Sequence, residues 1–156
     1  MFMFKWIPAA LAALSLYVAA PARSAEVTAG QALLIDTLTN ANVDLIVDEC
    51  PTEEFYGLFS AKHKTIVICT NVATDADQRW ETLRHEAIHA AQACVDPSMA
   101  TTAQPLMYVY DSLSKRDFRA VRGYYSEEDW QIEYEAFTFM RYSNTYVANV
   151  VAKSCL

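Results

Sequence analysis

Two histidines four residues apart, with a glutamate directly after the first, are the residues of this sequence best suited to metal chemistry. They are His85, Glu86 and His89, in the stretch His-Glu-Ala-Ile-His. On an α-helix, residues four apart lie on one face about one turn from each other, so the two imidazoles can bind one metal ion. Zinc (Zn2+) is the metal that this pattern favours, and a glutamate beside the first ligand can accept a proton from a water molecule that zinc activates. The stretch therefore predicts a hydrolytic zinc site with Glu86 as its general base.

A catalytic zinc ion usually has three protein ligands, so the sequence must supply one more. The only other histidine, His63, lies between Lys62 and Lys64 in a predicted turn and is better explained as a solvated loop residue. Carboxylates on a later predicted helix are the other source, and Glu133 and Glu135 lie deepest in that helix. Residues two apart on a helix point about 200° away from each other, so only one of the two glutamates can readily face the metal. Apolar periodicity does not choose between them.

The His85–His89 motif followed by Glu135-Ala136 resembles the gluzincins, the thermolysin-like group of zinc peptidases. In that group the third ligand is a glutamate on a downstream helix, commonly followed by alanine. The resemblance therefore implies Glu135 as the metal ligand and leaves Glu133 as the alternative. No H-x-x-G-x-x-H continuation follows His89, which argues against the metzincin arrangement. The resemblance covers two helices and the strand before them, and it implies a minimal zincin-like catalytic core.

This resemblance implies a secreted zinc-dependent endopeptidase that acts on peptides or proteins. Glu86 would take a proton from the water that zinc activates and deliver it to the leaving amine. Zincins present a strand edge to the extended substrate just before the metal helix, and residues 65–69 occupy that place in this sequence, so we expect the substrate to pair with them. The donor for the developing negative charge stays open among several residues. These are Tyr124, Tyr125, Tyr142, Arg141 and His63.

A non-catalytic secreted zinc-binding or protein-interaction module on a zincin-like fold is the alternative. Glu86 favours the enzyme, because a structural zinc site needs no carboxylate beside its first histidine and normally closes its fourth coordination position. Glu81 and Gln92 share the metal face of the predicted helix. We interpret Glu81 as a partner of the helix dipole and Gln92 as a solvated residue.

Hydrophobic periodicity predicts the elements that position these residues. The predicted strands cover residues 43–47, 55–59 and 65–69, and polar residues 60–64 join the last two as a hairpin. The predicted helices cover 28–40, about 75–95, part of 105–119, and a long stretch from Ser126 to about residue 152. The helix that carries the histidines has an apolar face for the core and a polar face for the metal. Together they predict an α+β fold, in which a small antiparallel or mixed sheet packs on the zinc-binding helix and a mainly helical C-terminal half follows.

The N-terminal residues are typical of a secretory signal peptide. Lys5 precedes an apolar run over residues 7–20, and Ala20-Pro21-Ala22 fits the small-x-small cleavage pattern. Cleavage is expected after Ala22, or as late as Ala25. An uncleaved membrane anchor is the alternative, but the run is too short to span a bilayer comfortably. We therefore expect a single domain over residues 23–156, exported to the periplasm or the medium, with no membrane contact after cleavage.

The four cysteines follow the predicted signal peptide. They are Cys50, Cys69, Cys94 and Cys155. An even number in an exported chain favours disulfides, and the expected pairs are Cys50–Cys69 and Cys94–Cys155. The second pair requires the last helical stretch to bend or break near residues 143–144, because a straight helix would carry Cys155 too far from Cys94. The net charge of −7 argues against nucleic-acid binding through a basic patch, and the oligomeric state stays open.

Overall fold

The computed structural model describes residues 27–104, 109 and 112–156, and the predicted signal peptide lies outside them. The described residues form three strands and five helices. In chain order these are α1 (Ala29–Asn40), β1 (Asp44–Asp48), β2 (Gly57–Ser60), β3 (Thr65–Cys69), α2 (Ala76–Val95), α3 (Lys115–Tyr124), α4 (Trp130–Phe139) and α5 (Asn144–Cys155). The predicted α+β fold with a mainly helical C-terminal half is confirmed. None of the described helices is long and apolar enough to cross a membrane.

The sheet is mixed, with the strand order β1-β3-β2. β1 pairs with β3 in parallel, and β2 pairs with β3 antiparallel as the predicted hairpin. Thr65–Cys69 is thus the central strand, with a partner on each side, and the expectation that a substrate would pair with it is wrong. Among the described strands, the edge strand that lies beside α2 is β2. A Cβ at Gly57 would lie 2.6 Å from the Thr82 side chain, so this glycine lets β2 pack closely on α2.

Helix α2 lies at the centre of the molecule. Asp75 and Gln78 cap its N-terminus reciprocally, one residue later than the Thr74–Asp77 signal predicts. Its apolar residues, among them Leu83 and Ile88, pack in the hydrophobic core, and its histidine face is covered as well. The predicted polar front is therefore buried, which places the histidines away from bulk water.

The predicted long C-terminal helix is two helices with a corner between them. α4 ends at Phe139, and Ser143 caps the start of α5. Arg84 of α2 holds the corner by donating to the Met140 carbonyl and to the Asn144 side chain. Because the chain changes direction near residues 143–144, α5 packs against α2 and the two are joined by a disulfide.

Both expected disulfides are present, Cys50–Cys69 and Cys94–Cys155. They fit an exported protein, since such bonds persist in oxidising compartments. The helix predicted within residues 105–119 falls partly outside the described residues. Downstream of those, α3 begins only after Ser114, which caps it.

Candidate metal centre

A buried group of three side chains forms the candidate metal centre. His85 and His89 project from α2, and Glu133 projects from the first turn of α4, which packs across them. All three residues are less than a tenth exposed. The Phe137 ring lies edge-on to His85 with centroids 4.9 Å apart and fixes the plane of that imidazole. The packing of α4 on α2 thus brings two imidazoles and one carboxylate to a common point.

These side chains lie close enough together to share one metal ion, with a different Glu133 oxygen facing each imidazole. The Nε2 atoms of His85 and His89 are 3.2 Å apart, and they lie 3.4 and 3.3 Å from the two Glu133 carboxylate oxygens. The Oε2 atom of Glu133 is buried and makes no hydrogen bond within the described part of the chain. A metal ion would satisfy this oxygen, which otherwise carries the cost of an unpaired buried acceptor.

His89 and Glu133 each favour the charged form of the other. Burial disfavours the charged forms of both His89 and Glu133. For His89, the hydrogen bond to Glu133 and the charge of that carboxylate outweigh burial and raise the pKa. The two imidazoles outweigh burial in turn and lower the pKa of Glu133. The carboxylate therefore stays ionised at neutral pH, as a metal ligand must be.

Glu86 lies next to this group without being part of it. It is 6% exposed, and burial raises its pKa while His85 and His89 lower it. The backbone N–H of Phe59, on β2, also lies near its carboxylate and lowers the pKa. A buried carboxylate whose pKa is raised, next to a candidate metal centre, is suited to general-base chemistry.

Glu135, the expected third ligand, is not part of the cluster, and the structure groups the alternative, Glu133, with the two histidines. The Glu135 carboxylate is fully buried. It accepts hydrogen bonds from the backbone N–H groups of Ala103 and Gln104 and from the Gln92 amide. These hydrogen bonds satisfy both carboxylate oxygens and anchor the segment that follows α2.

Gln92 is a buried neighbour of the candidate metal centre, and the interpretation of it as a solvated residue is wrong. It is completely buried, and its amide nitrogen donates to the Ile132 carbonyl at 2.9 Å and to Glu135 at 2.8 Å. Its oxygen, 2.8 Å from the Nδ1 atom of His89, must therefore accept a hydrogen bond. This fixes a proton on Nδ1 and leaves Nε2 of His89 as the ring nitrogen that could bind a metal ion. The signal in the sequence was its position three residues after His89 among small alanines that permit close packing.

Replacing Gln92 by methionine should weaken zinc binding about 10- to 100-fold, the range found when the hydrogen-bond partner of a metal-binding histidine is removed. Competition with a coloured chelator measures this affinity. Thr138→Val is the matched control, since it deletes another buried hydrogen bond, from Thr138 to the Val109 carbonyl. Equal loss of affinity in both variants would mean that Gln92 acts through general stability alone.

Among the open candidates for a donor, the structure places Tyr125 at the site. Burial raises the pKa of its hydroxyl, and the nearby carboxylates of Glu133 and Glu86 raise it further, so it stays protonated. Its ring also packs against Phe137. Tyr124 is 86% exposed, and Arg141 is engaged in an ion pair with Asp117.

The remaining predicted residues lie outside the metal centre. His63 and Glu81 are exposed, as expected for a solvated turn and for the first turns of a helix. The Tyr142 hydroxyl lies 3.3 Å from that of Ser112 and belongs to an aromatic group with Phe139 and Tyr146. None of these residues is grouped with the two histidines of α2.

Fold and site together define an α+β domain with a buried two-histidine, one-glutamate group that can hold a metal ion. The family model described as Domain of unknown function (DUF8637) matches residues 27–156, so the chain belongs to that family. No curated protein and no solved structure matches it.

Proposed function

We propose that this protein is an exported zinc-dependent endopeptidase. The observation that carries the proposal is the convergence of two imidazole nitrogens and one carboxylate, 3.2–3.4 Å apart, with Glu86 beside them. His85, His89 and Glu133 would hold the ion. Bound zinc would lower the pKa of a water molecule and polarise a substrate carbonyl. Three protein ligands leave a coordination position for such chemistry, whereas structural zinc sites are normally closed by four.

The chain's own residues have separate tasks in this reaction. Glu86 accepts the proton of the attacking water and passes it to the leaving amine. Gln92 holds His89 in the tautomer that ligates, and Glu135 holds Gln92. Burial of the group excludes bulk water, which strengthens each of these electrostatic interactions.

The outer edge of β2 is the proposed place for the substrate backbone. The Tyr56 carbonyl accepts a hydrogen bond from the Cys69 N–H on β3. Along an antiparallel strand, successive residues direct their backbone N–H and C=O groups alternately toward and away from the partner strand. The backbone groups of Gly57 and Phe59 therefore point away from β3. The Phe59 N–H on this edge lies near the Glu86 carboxylate and lowers its pKa. An extended peptide that pairs with β2 would thus pass directly beside the general base.

Mass-spectrometric analysis of a peptide library incubated with the purified mature protein tests the proposal. We expect cleavage that stops when a chelator is added and returns with stoichiometric zinc. Zinc bound at the site without cleavage of any library member would instead support a non-catalytic zinc-binding module.

Replacing Tyr125 by phenylalanine should lower kcat about 100-fold, because this hydroxyl beside Glu133 is the proposed donor to the developing oxyanion. Zinc content should not change, since Tyr125 is outside the three-residue group. Steady-state kinetics on a cleaved peptide measure the effect. Tyr124→Phe is the matched control, and equal rates for Tyr125→Phe and wild type would remove Tyr125 from the mechanism.

A further inference from the structure

A groove of about 610 Å³ opens next to the Cys94–Cys155 disulfide. Phe59 and the turn after β2 form one wall, with Lys62 and Lys64 in that turn, and the C-terminal half of α2 forms the other wall through Ala90 and Ala93. We call this feature the lysine groove. Its volume is within the range of ligand-binding clefts.

The lysine groove lies next to Glu86 along α2. Ala90 and Ala93 follow Glu86 by four and seven residues, so the three share one face of α2. They lie about 6 and 10 Å from Glu86 along the helix axis. Phe59 connects Glu86 to the groove, because its backbone N–H lies near the Glu86 carboxylate and the residue also lines the groove. An extended peptide advances about 3.3 Å per residue, so these distances along α2 equal the length of two or three peptide residues.

The chemistry of the groove favours a ligand with a negative charge. The chain has 19 acidic and 12 basic Lys and Arg residues, so most of its surface repels acidic peptides. Lys62 and Lys64 are both exposed and both line the groove, and neither forms an ion pair with any carboxylate in the described ranges. The small alanine side chains leave room between these ammonium groups and α2.

We propose that the lysine groove is a substrate subsite for an acidic side chain, glutamate or aspartate, two or three residues from the bond that is cleaved. The proposal rests on the endopeptidase function proposed above, because it places the cleaved bond at Glu86. It assigns to Lys62 and Lys64 the selection of substrate, with no part in the chemical step.

Direct binding to the zinc-loaded Glu86→Gln variant tests the subsite without requiring turnover. The probes are fluorescent peptides with amidated C-termini, in which one glutamate is moved along an otherwise neutral host sequence, each paired with a glutamine version. We expect at least one glutamate position to bind about 10-fold tighter than its glutamine pair, as two exposed ion pairs of ordinary strength would give. The double variant Lys62→Glu, Lys64→Glu should abolish this preference. Lys115→Glu with Arg119→Glu, exposed residues of α3, changes the net charge equally and should leave it intact.

Equal binding of every glutamate and glutamine pair would overturn the proposal, and so would a preference that survives charge reversal at Lys62 and Lys64. A preference seen only with free-acid peptides would assign the groove to a terminal carboxylate and would also overturn it. Failure of the peptidase function is distinguishable, because it would appear as absent cleavage by the wild type while the glutamate preference in binding persists.

Discussion

Zinc should be lost when Glu133 is replaced by glutamine and retained when the same change is made at Glu135. Glu133 supplies both carboxylate oxygens that face His85 and His89, at 3.4 and 3.3 Å. A neutral amide is a poor replacement for a charged zinc ligand, so we expect the affinity to fall by more than the 10- to 100-fold typical of residues behind the ligands. Metal analysis after dialysis and chelator competition measure this loss.

Glutamine at position 135 should instead destabilise the metal-free protein by about 2–3 kcal/mol, because an amide cannot accept all the hydrogen bonds that converge on this buried carboxylate. The donors are Gln92, Ala103 and Gln104. Denaturant unfolding in the presence of a chelator measures the free energy of unfolding. The two variants are thus each other's control. The opposite pattern, with zinc lost only from Glu135→Gln, would show that Glu135 and not Glu133 is the ligand.

Peptide hydrolysis should fall about 1,000-fold when Glu86 is replaced by glutamine, within the range for loss of a general acid–base group. Glutamine keeps the shape of the side chain but cannot take a proton from water. Zinc content should stay at one ion per chain, since Glu86 does not belong to the three-residue group. Steady-state kinetics on the best peptide from the library, with metal analysis of the same sample, give both quantities.

Glu81→Gln provides the matched control for this variant. Glu81 lies on the same helix and carries the same charge, but it is exposed. Its replacement should leave kcat unchanged within about twofold, as expected of a surface substitution away from the site. Undiminished hydrolysis by zinc-loaded Glu86→Gln would remove Glu86 from the role of general base.

The sequence was sufficient to predict the metal helix and to pair its histidines, but it could not choose the third member of the group. The choice between Glu133 and Glu135 depends on how α4 is rotated about its axis. α4 is buried on nearly every side, with Ile132, Tyr134, Ala136 and Phe139 all in the interior. A helix that is apolar all round carries no periodicity that marks its inner face. The gluzincin pattern of glutamate followed by alanine then favoured Glu135, which accepts a hydrogen bond from Gln92.

The edge strand was missed for a related reason. Residues 65–69 directly precede the metal helix in sequence, which favoured them as the edge. The parallel pairing of β1 with β3 is a long-range contact that no local pattern encodes, and it places β3 at the centre of the sheet. The break in the C-terminal helix was accessible, because the length of a straight helix is incompatible with a Cys94–Cys155 bond.

X-ray absorption at the zinc edge, on mature protein purified without added metal, tests the central claim most directly. The proposed site predicts about one zinc ion per chain, with nitrogen and oxygen ligands at about 2.0–2.1 Å and the scattering pattern of two imidazoles. This zinc signal should be lost from the Glu133→Gln variant and should remain in the Glu135→Gln variant. A protein without bound zinc, or a spectrum with sulfur ligands at about 2.3 Å, would contradict a zinc centre built from His85, His89 and Glu133.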